Sequence, residues 1–360
     1  MVNETIVITG TTGFLGSHVV EHFLNAGYHV KALCRISKAD ELSKRSDDPK
    51  FSVKVIESLA EDDFTSILQG WGTVPEAFRT ESKKYINEFL PPKNSKPLTP
   101  QSSQPKENLF NWLYTMSRDL LYSLYFRRSM STKKLGLSPD SHKADLHNDT
   151  GRIEVDKINI SNPEEPPKDM DPFAVYAASK LLAEEAVWSF ADAYSDVDMI
   201  TILPAYFYGP FSKFHIIREP TTLSTNYLLY SLFSRPRAVY PPELIPDHVV
   251  DVRDVAKCCV LAMSTPKPES PTIPHRRILL CSGAFSWRDV ATEIAQSHPG
   301  IKDRVVVDQE ADSAKRPAAR VDVSMAHQVL GWNEFTHWKV FVKDAVASLL
   351  ETEKQWNPEA

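Results

Sequence analysis

The 360-residue chain contains 42% hydrophobic and 24% charged residues and has a net charge of -6 at pH 7. Its length suits one large α/β domain or two lobes sharing a cleft, and its composition is typical of a globular protein in water. The negative charge gives no general attraction to nucleic acid, which disfavours nucleic-acid binding. The four scattered cysteines form no C-x-x-C pair and no export signal is recognisable, so we expect a cytoplasmic protein with reduced thiols.

The first sixty residues predict one half of a doubly wound parallel sheet. Residues 5–9, TIVIT, form a β-branched run of the kind that is buried on both faces of a parallel sheet. A glycine turn and an amphipathic helix ending near Gly27 follow. A strand at 28–35, a short helix and a third strand at 51–59 come next. This β-α-β-α-β order predicts an α/β fold of the Rossmann type.

The regular pattern is interrupted between residues 70 and 150, which resemble an insert. Residues 91–108 contain five prolines among Ser, Gln and Lys, which predicts a linker without packed structure. Residues 109–126 hold twelve apolar or aromatic residues in eighteen, at helical spacing, and predict a helix. Basic residues follow, so a helix lying on a membrane surface over 109–134 is an alternative. Charged residues interrupt that segment, and we favour a helix packed on the sheet or a poorly ordered insert.

Regular elements return in the second half of the chain. The sequence predicts a helix from Pro172 to about Tyr194, followed by a strand that is broken by Pro204. Residues 248–263 predict a short strand that leads into a helix, and residues 277–283 predict another strand. Three helices are predicted in the C-terminal tail, where they fit either the core or the interface of a homodimer.

Gly10, Gly13 and Gly16 lie between the first predicted strand and the first predicted helix, which is the position of a dinucleotide-binding turn. Glycine suits this position because backbone amides must approach a pyrophosphate closely. The helix N-terminus adds unpaired N–H groups and a partial positive charge. The spacing is G-x-x-G-x-x-G instead of G-x-G-x-x-G. A tight turn whose glycines serve only packing is therefore the alternative interpretation.

The residues after the second strand predict which cofactor is preferred. A site for NAD carries Asp or Glu there to bind the ribose 2′-hydroxyl, whereas this sequence reads LCRISK. Arg35, with Lys38 nearby, can pair with a 2′-phosphate, which favours NADP(H). The alternative is a surface arginine at the end of a strand.

Tyr176 and Lys180 are four residues apart in a predicted helix and therefore share one face. An unperturbed tyrosine has a pKa of about 10, and a neighbouring ammonium lowers that pKa by favouring the phenolate. The pair could then give a proton to a carbonyl oxygen as hydride arrives at its carbon. Two solvated polar side chains are the alternative, because many helices contain this spacing.

Together these segments resemble the extended short-chain dehydrogenase/reductases of the epimerase/dehydratase type, and especially their dihydroflavonol-reductase-like and methylglyoxal-reductase-like carbonyl reductases. The resemblance covers residues 1–69 and 153–352. It rests on TGTTGFLGSHVVEHFL, Arg35, YAASKLLAEEA, LPAYFYGP, HVVDVRDVA and MAHQVLGW.

The resemblance implies roles for individual residues. Tyr176 is expected to be the proton donor, and Lys180 to bind the nicotinamide ribose and lower the tyrosine pKa. The expected cofactor contacts are Gly10, Gly13, Phe14, Leu15 and Gly16 at the pyrophosphate, Ser58 and Leu59 near the adenine, and Pro204 and Phe207 over the nicotinamide. The implied fold is a Rossmann-type doubly wound parallel sheet with a smaller C-terminal substrate lobe. Residues 1–204 and 249–283 would form the dinucleotide-binding domain, and residues 205–248 and 284–360 the lobe.

One part of the family pattern is not recognisable. Members have a fourth strand with an H-x-A-type motif and a fifth strand ending in a serine that holds the substrate carbonyl. Residues 70–150 contain neither. Thr115, Ser117 and Ser161 are candidates for the missing hydroxyl, but the first two lie in the predicted helix and the third in a predicted loop. The segment is a divergent pair of strands, an insertion that disables the enzyme, or an erroneous stretch of sequence.

The sequence therefore predicts an NADPH-dependent oxidoreductase that reduces the aldehyde or ketone carbonyl of a small molecule. A nucleotide-sugar epimerase or dehydratase is the second hypothesis, disfavoured because residues 235–252 contain no glycine for a diphosphate-binding loop. A catalytically impaired NADP-binding protein is the third. His18 and His22 lack a third ligand nearby, so we predict no metal site.

Overall fold

The computed structural model describes most of the chain outside its central part. The described ranges are 4–56, 111–115, 198–241, 247–266, 276–307 and 321–356, together with the helical residues Glu184, Val187, Trp188, Ala191 and Asp192.

The N-terminal half-sheet is the one expected from the sequence. Its strands are β1 (Thr5–Ile8), β2 (His29–Cys34) and β3 (Phe51–Val55), which pair in parallel in the order β1-β2-β3. Helices α1 (Phe14–Asn25) and α2 (Ile36–Ser43) connect them. Gly27 has a φ of +91°, a left-handed conformation that ends α1 and that glycine adopts without strain.

The remaining strands form two further three-stranded sheets. One contains β4 (Asn111–Thr115), β5 (Asp198–Pro204) and β8 (Arg276–Leu280), all parallel, in the order β4-β5-β8. The other contains β6 (Tyr206–Tyr208), β7 (His248–Asp251) and β9 (Gly283–Ala284), in the order β6-β7-β9. The predicted break at Pro204 is confirmed, because the chain leaves the second sheet there and enters the third at Tyr206.

Helices pack around these sheets. They are α3 (Asn226–Ser231), α4 (Val252–Ser264), α5 (Trp287–Ser297), α6 (Ser324–Leu330) and α7 (Trp338–Trp356), with 3₁₀ turns at Pro220–Thr222 and Pro299–Arg304. The side chains of Asp251 and Ser286 cap α4 and α5 by accepting backbone N–H hydrogen bonds. The three predicted tail helices are confirmed as α5, α6 and α7.

The buried apolar side chains form two main clusters. The first joins β1, β2, β5 and β8 to α1 and α4, and it includes Phe14, Phe207 and Val255. The second joins β6 to α3, α5 and α7 and includes Tyr208. Phe211 packs against both clusters. The domain boundaries expected at residues 205, 249 and 284 stay a prediction.

The helix expected over residues 109–126 is wrong where the structure describes this segment, because Asn111–Thr115 form strand β4. β4 pairs in parallel with β5, and Thr115 lies opposite Ile202. Twelve of the eighteen residues in this run are apolar or aromatic, so their spacing does not distinguish a buried strand from a helix. Pairing with β5 supplies backbone hydrogen bonds that favour the strand. The rest of the run and the proline-rich residues 91–108 lie outside the described residues.

Among the helices that the structure describes, none is long and apolar enough to cross a membrane.

Candidate functional site

The glycine turn lies between β1 and α1, at the carboxyl end of the first sheet. The Gly13 N–H donates to the Gly10 carbonyl (3.0 Å), and Gly10 has a φ of +66° in the left-handed region that favours glycine. A Cβ at position 16 would overlap the carbonyl oxygen of Gly10. The turn therefore requires glycine at two of its positions for reasons of backbone geometry and space.

The N-terminus of α1 suits an anion. Its N-cap is Gly13, which has no side chain to cap the first N–H groups, and the first turn contains no acidic residue. Uncapped N–H groups and the partial positive charge of a helix N-terminus attract a phosphate. Gly13 is also exposed. The predicted pyrophosphate contacts at Gly13, Phe14, Leu15 and Gly16 therefore begin a helix whose end fits that group.

Two cations lie beside the turn. Lys38 Nζ donates a hydrogen bond to Thr12 Oγ1 (3.4 Å), so the structure brings Lys38 to the glycine turn. Arg35 is the exposed N-cap residue of the same helix, α2. The buried Thr11 hydroxyl donates to the Leu33 carbonyl (3.0 Å) and ties the turn to β2. The charge near this end of α2 suits a 2′-phosphate.

The side chains of Phe14 and Phe207 pack inside the protein. Their rings lie 5.8 Å apart and are 4% and 2% exposed. Phe211 and His215 also contact the Phe14 ring, at 5.6 and 5.8 Å. The Phe14 and Phe207 rings therefore belong to the core of the protein. Pro204 ends β5 three residues before Phe207.

The segment from 209 to 218, called the 209–218 loop, covers the start of α1. Its backbone and side chains make three contacts there: His18 Nε2 with the Pro210 carbonyl (2.9 Å), Ser212 Oγ with the Ser17 carbonyl (3.2 Å) and the Ile216 N–H with the Thr12 carbonyl (3.3 Å). Arg218 continues to α2, donating to the Ser37 carbonyl (3.1 Å) and to Glu41 (3.2 Å). No motif in the sequence indicated this loop, because its contacts join residues almost 200 positions apart.

Two buried histidines lie where the 209–218 loop meets α1: His18 on the helix and His215 in the loop. Burial lowers the pKa of His18 to about 4 and that of His215 to about 3. Both rings are therefore neutral at pH 7. His22 Nδ1 lies 2.9 Å from the His18 carbonyl oxygen. In the described part of the chain, no group of three His, Cys, Asp or Glu side chains could hold a metal.

The structure does not describe most of the remaining predicted site residues. Tyr176, Lys180, Ser58 and Leu59 lie outside the described residues, as do the alternative hydroxyls Ser117 and Ser161. Thr115 is described, and it ends β4 beside β5. The objection that Thr115 lies in a helix therefore does not hold.

Comparison with known proteins identifies relatives over the whole chain. An NmrA-like family model matches residues 2–84, and the NAD dependent epimerase/dehydratase family model matches residues 156–273. Ketoreductase azaE of Aspergillus niger is 26% identical, covering 97% of this chain and 98% of its own. The NADPH-dependent methylglyoxal reductase GRE2 of Saccharomyces cerevisiae is 23% identical, covering 97% and 99%. The crystal structure of Gre2 from Candida albicans in complex with NADPH is similar in fold, with a TM-score of 0.67, 22% identity and coverage of 98% and 100%.

Proposed function

The chain belongs to the extended short-chain dehydrogenase/reductases, and we propose from this that it is an NADPH-dependent oxidoreductase that reduces an aldehyde or ketone carbonyl of a small molecule. The observation that carries the proposal is the glycine turn, where α1 begins without a side-chain cap and Lys38 Nζ donates a hydrogen bond to Thr12 Oγ1. The names of the two relatives, a ketoreductase and an NADPH-dependent methylglyoxal reductase, support the same reaction class.

The cofactor would be held by three parts of the chain. Backbone amides from Gly10 to Gly16 would bind its pyrophosphate, and Arg35 and Lys38 its 2′-phosphate. Ser58 and Leu59 would lie near the adenine, and the backbone from Pro204 to Phe207 near the nicotinamide. The reduced nicotinamide supplies a hydride when it is bound.

The chain itself would supply the proton. In this proposal the Tyr176 hydroxyl donates a proton to the substrate oxygen, and the Lys180 ammonium favours the phenolate that remains. Of the three candidates for the hydroxyl that holds the substrate carbonyl, we favour Thr115, because β4 ends there opposite Ile202, two residues before β5 ends at Pro204. A donor placed at that oxygen is typically worth about 10²- to 10³-fold in rate.

We also propose a cytoplasmic location and no nucleic-acid partner. The four cysteines are buried and none forms a disulfide, which suits a reducing compartment. The net charge of -6 gives no attraction to nucleic acid. The homodimer and the two-domain division remain open proposals.

The test compares wild type with Tyr176→Phe, using Tyr227→Phe as a control because Tyr227 is 49% exposed. Fluorescence titration should show that wild type binds NADPH more tightly than NADH. A panel of aldehydes and ketones should reveal NADPH oxidation that falls about 10²- to 10⁴-fold in Tyr176→Phe and not in Tyr227→Phe. NADPH affinity should change little in either variant.

Normal turnover by Tyr176→Phe would remove the tyrosine from the mechanism. A wild-type chain that binds neither nucleotide would overturn the proposed function. A sugar nucleotide that raises the melting temperature more than NADPH does would favour the epimerase or dehydratase hypothesis instead.

A further inference from the structure

Glu184 is a buried carboxylate that the proposed proton transfer does not use. It is 5% exposed and accepts two hydrogen bonds from the Arg277 guanidinium (2.7 and 2.9 Å). It also accepts from Thr201 Oγ1 (3.1 Å) and from Trp188 Nε1 (3.3 Å) on its own helix. One carboxylate therefore joins a helix to two other parts of the chain.

The two sheet partners of Glu184 lie side by side. Thr201 on β5 and Arg277 on β8 are directly paired in the parallel register. Alternation along a strand puts them on the face opposite Ile200, Ile202 and Ile278, which lie in the first core with α4. Glu184 therefore attaches its helix to the other face of the sheet, across two neighbouring strands.

Glu184 is buried in this ion pair and the Arg277 side chain is 30% exposed. Such a pair is weak evidence for stability, because removing charge from water costs about as much as the attraction returns. Its best-attested use is to select one register between packed elements. A carboxylate with two fixed donors on the sheet allows one position only.

The position selected by Glu184 matters for the residues that precede it. Only residues 193–197 separate Asp192 from β5, so the helix runs antiparallel to that strand. If the helix continues back as the sequence predicts, Tyr176 lies eight residues away, about 12 Å along its axis. Thr201 lies three residues before Pro204, about 10 Å below the carboxyl edge of β5. The distance of about 12 Å along the predicted helix and the distance of about 10 Å along β5 differ by less than the rise of one strand residue.

We propose that Glu184 is a positioning residue that sets the position of its helix along β5 and β8, and with it the position of the predicted proton donor Tyr176 and its neighbour Lys180. This inference rests on the proposed function, because it gives Glu184 a role only if Tyr176 donates the proton. Lys180 and Tyr176 precede Glu184 by four and eight residues, a spacing that puts all three on one side of the helix that the sequence predicts.

The test uses Glu184→Gln and the milder Thr201→Val, which removes one hydrogen bond and leaves the ion pair. The control is Glu353→Gln, because Glu353 is also 5% exposed and accepts from Arg304 (2.6 Å) and Tyr230 Oη (3.0 Å), but lies in the second core. Turnover is measured with NADPH and with NADPH deuterated at the transferred position, NADPH affinity by titration, and helix stability by amide hydrogen exchange of peptides from 172–192.

A displaced proton donor should lower kcat of Glu184→Gln about tenfold to a hundredfold, and that of Thr201→Val by a smaller factor. The isotope effect should rise as the chemical step becomes slower, whereas the KM and Kd for NADPH should change by less than about threefold. Amide exchange in the 172–192 peptides, measured without NADPH, should be faster in Glu184→Gln than in wild type. Glu353→Gln should lower the melting temperature and leave kcat, the isotope effect and this exchange at their wild-type values.

If Glu184→Gln does not fold, Thr201→Val decides the question by the same measurements. Unchanged kcat and unchanged amide exchange in a folded variant would overturn the positioning role. The proposed function would still stand in that case, provided that the wild type is active. A wild-type chain without turnover, or an active Tyr176→Phe, would remove both proposals together.

Discussion

Gly16 is the position in the glycine turn that is most strictly determined by its neighbours. Any Cβ there would overlap the backbone of Gly10, whereas Gly300, in the second 3₁₀ turn, has nothing within 4 Å of a Cβ. Close packing is thus one real reason for glycine in this turn. The phosphate-binding role predicted for the same residues remains a proposal, and the two roles are compatible because both need a bare backbone.

We predict that Gly16→Ala destabilises the protein and weakens NADPH binding, because the turn must move to accept the methyl group. Overpacking of this kind costs about 1–3 kcal/mol. Urea denaturation and fluorescence titration of the cofactor would measure the two effects. Gly300→Ala is the matched control and should leave both values within about 0.5 kcal/mol of wild type. Equal losses in the two variants would show that the space around Gly16 is not the cause.

At the scale of elements, the junction between β6 and α3 is held by side chains that hydrogen-bond to the backbone of Gly209 and Phe207. Asn226 Nδ2 donates to the Gly209 carbonyl (2.8 Å), and Asn226 Oδ1 accepts from the Gly209 N–H (3.4 Å). Thr225 Oγ1 donates to the Phe207 carbonyl. Gly209 has a φ of +151°, and a Cβ there would lie 2.8 Å from Val252 Cγ1. The chain therefore turns sharply beside α4 and is held there by one buried amide.

Asn226→Ala should lower the free energy of unfolding by about 2 kcal/mol, because it leaves buried backbone groups of Gly209 without partners. Asn333→Ala is the control, since Asn333 is exposed, and it should change stability by less than about 0.5 kcal/mol. Guanidinium denaturation of both variants checks this. A loss below about 0.5 kcal/mol in Asn226→Ala would mean that water replaces the amide.

The element scale also shows where periodicity is insufficient. The run that contains Asn111–Thr115 has apolar residues at helical spacing, yet it pairs with β5 as a strand. Helix α1 was predictable because its apolar residues recur every three to four positions, so the sequence itself defines one apolar face. A segment in which two thirds of the residues are apolar defines no such face, and the strand that it pairs with determines its conformation.

At the scale of the whole molecule, the 209–218 loop connects the two clusters of buried apolar side chains. Phe211 packs against both, and its N–H donates to Ser348 Oγ (3.3 Å) on α7. His18 and His215 are both buried at this junction, and His18 adds to the effect of burial in lowering the pKa of His215. Lys38 and Arg45 also lower the pKa of His215, whereas Glu21 and Asp251 oppose the effect of burial on His18.

We predict that the protein loses stability as the pH falls from about 6.5 to about 4. In that range the histidines of the unfolded chain bind protons near their ordinary pKa of about 6.5, while His18 and His215 of the folded chain stay neutral. The unfolded state then binds more protons, so the free energy of unfolding decreases with falling pH. Each pKa unit corresponds to about 1.4 kcal/mol, so the two groups together contribute a few kcal/mol.

Urea denaturation at pH 7.5 and pH 5 measures this loss. His215→Phe keeps an aromatic ring beside Phe14 and should show a smaller loss between the two pH values than wild type. His327→Gln is the control, because His327 is exposed, and its loss should equal that of wild type. The same loss in His215→Phe and wild type would contradict the assignment to the buried histidines.

The sequence by itself determined the first half-sheet, the break at Pro204, the tail helices and the glycine turn, because those features depend on the period, turn chemistry and backbone freedom of neighbouring residues. It also indicated Lys38, which lies one helical turn from the end of β2. Only the tertiary structure decided that Asn111–Thr115 form a strand and that the 209–218 loop covers α1. It alone gave Glu184 its partner Arg277, 93 residues away. The physical reason is that these features are stabilised by contacts between distant segments, and no local pattern specifies which segments meet.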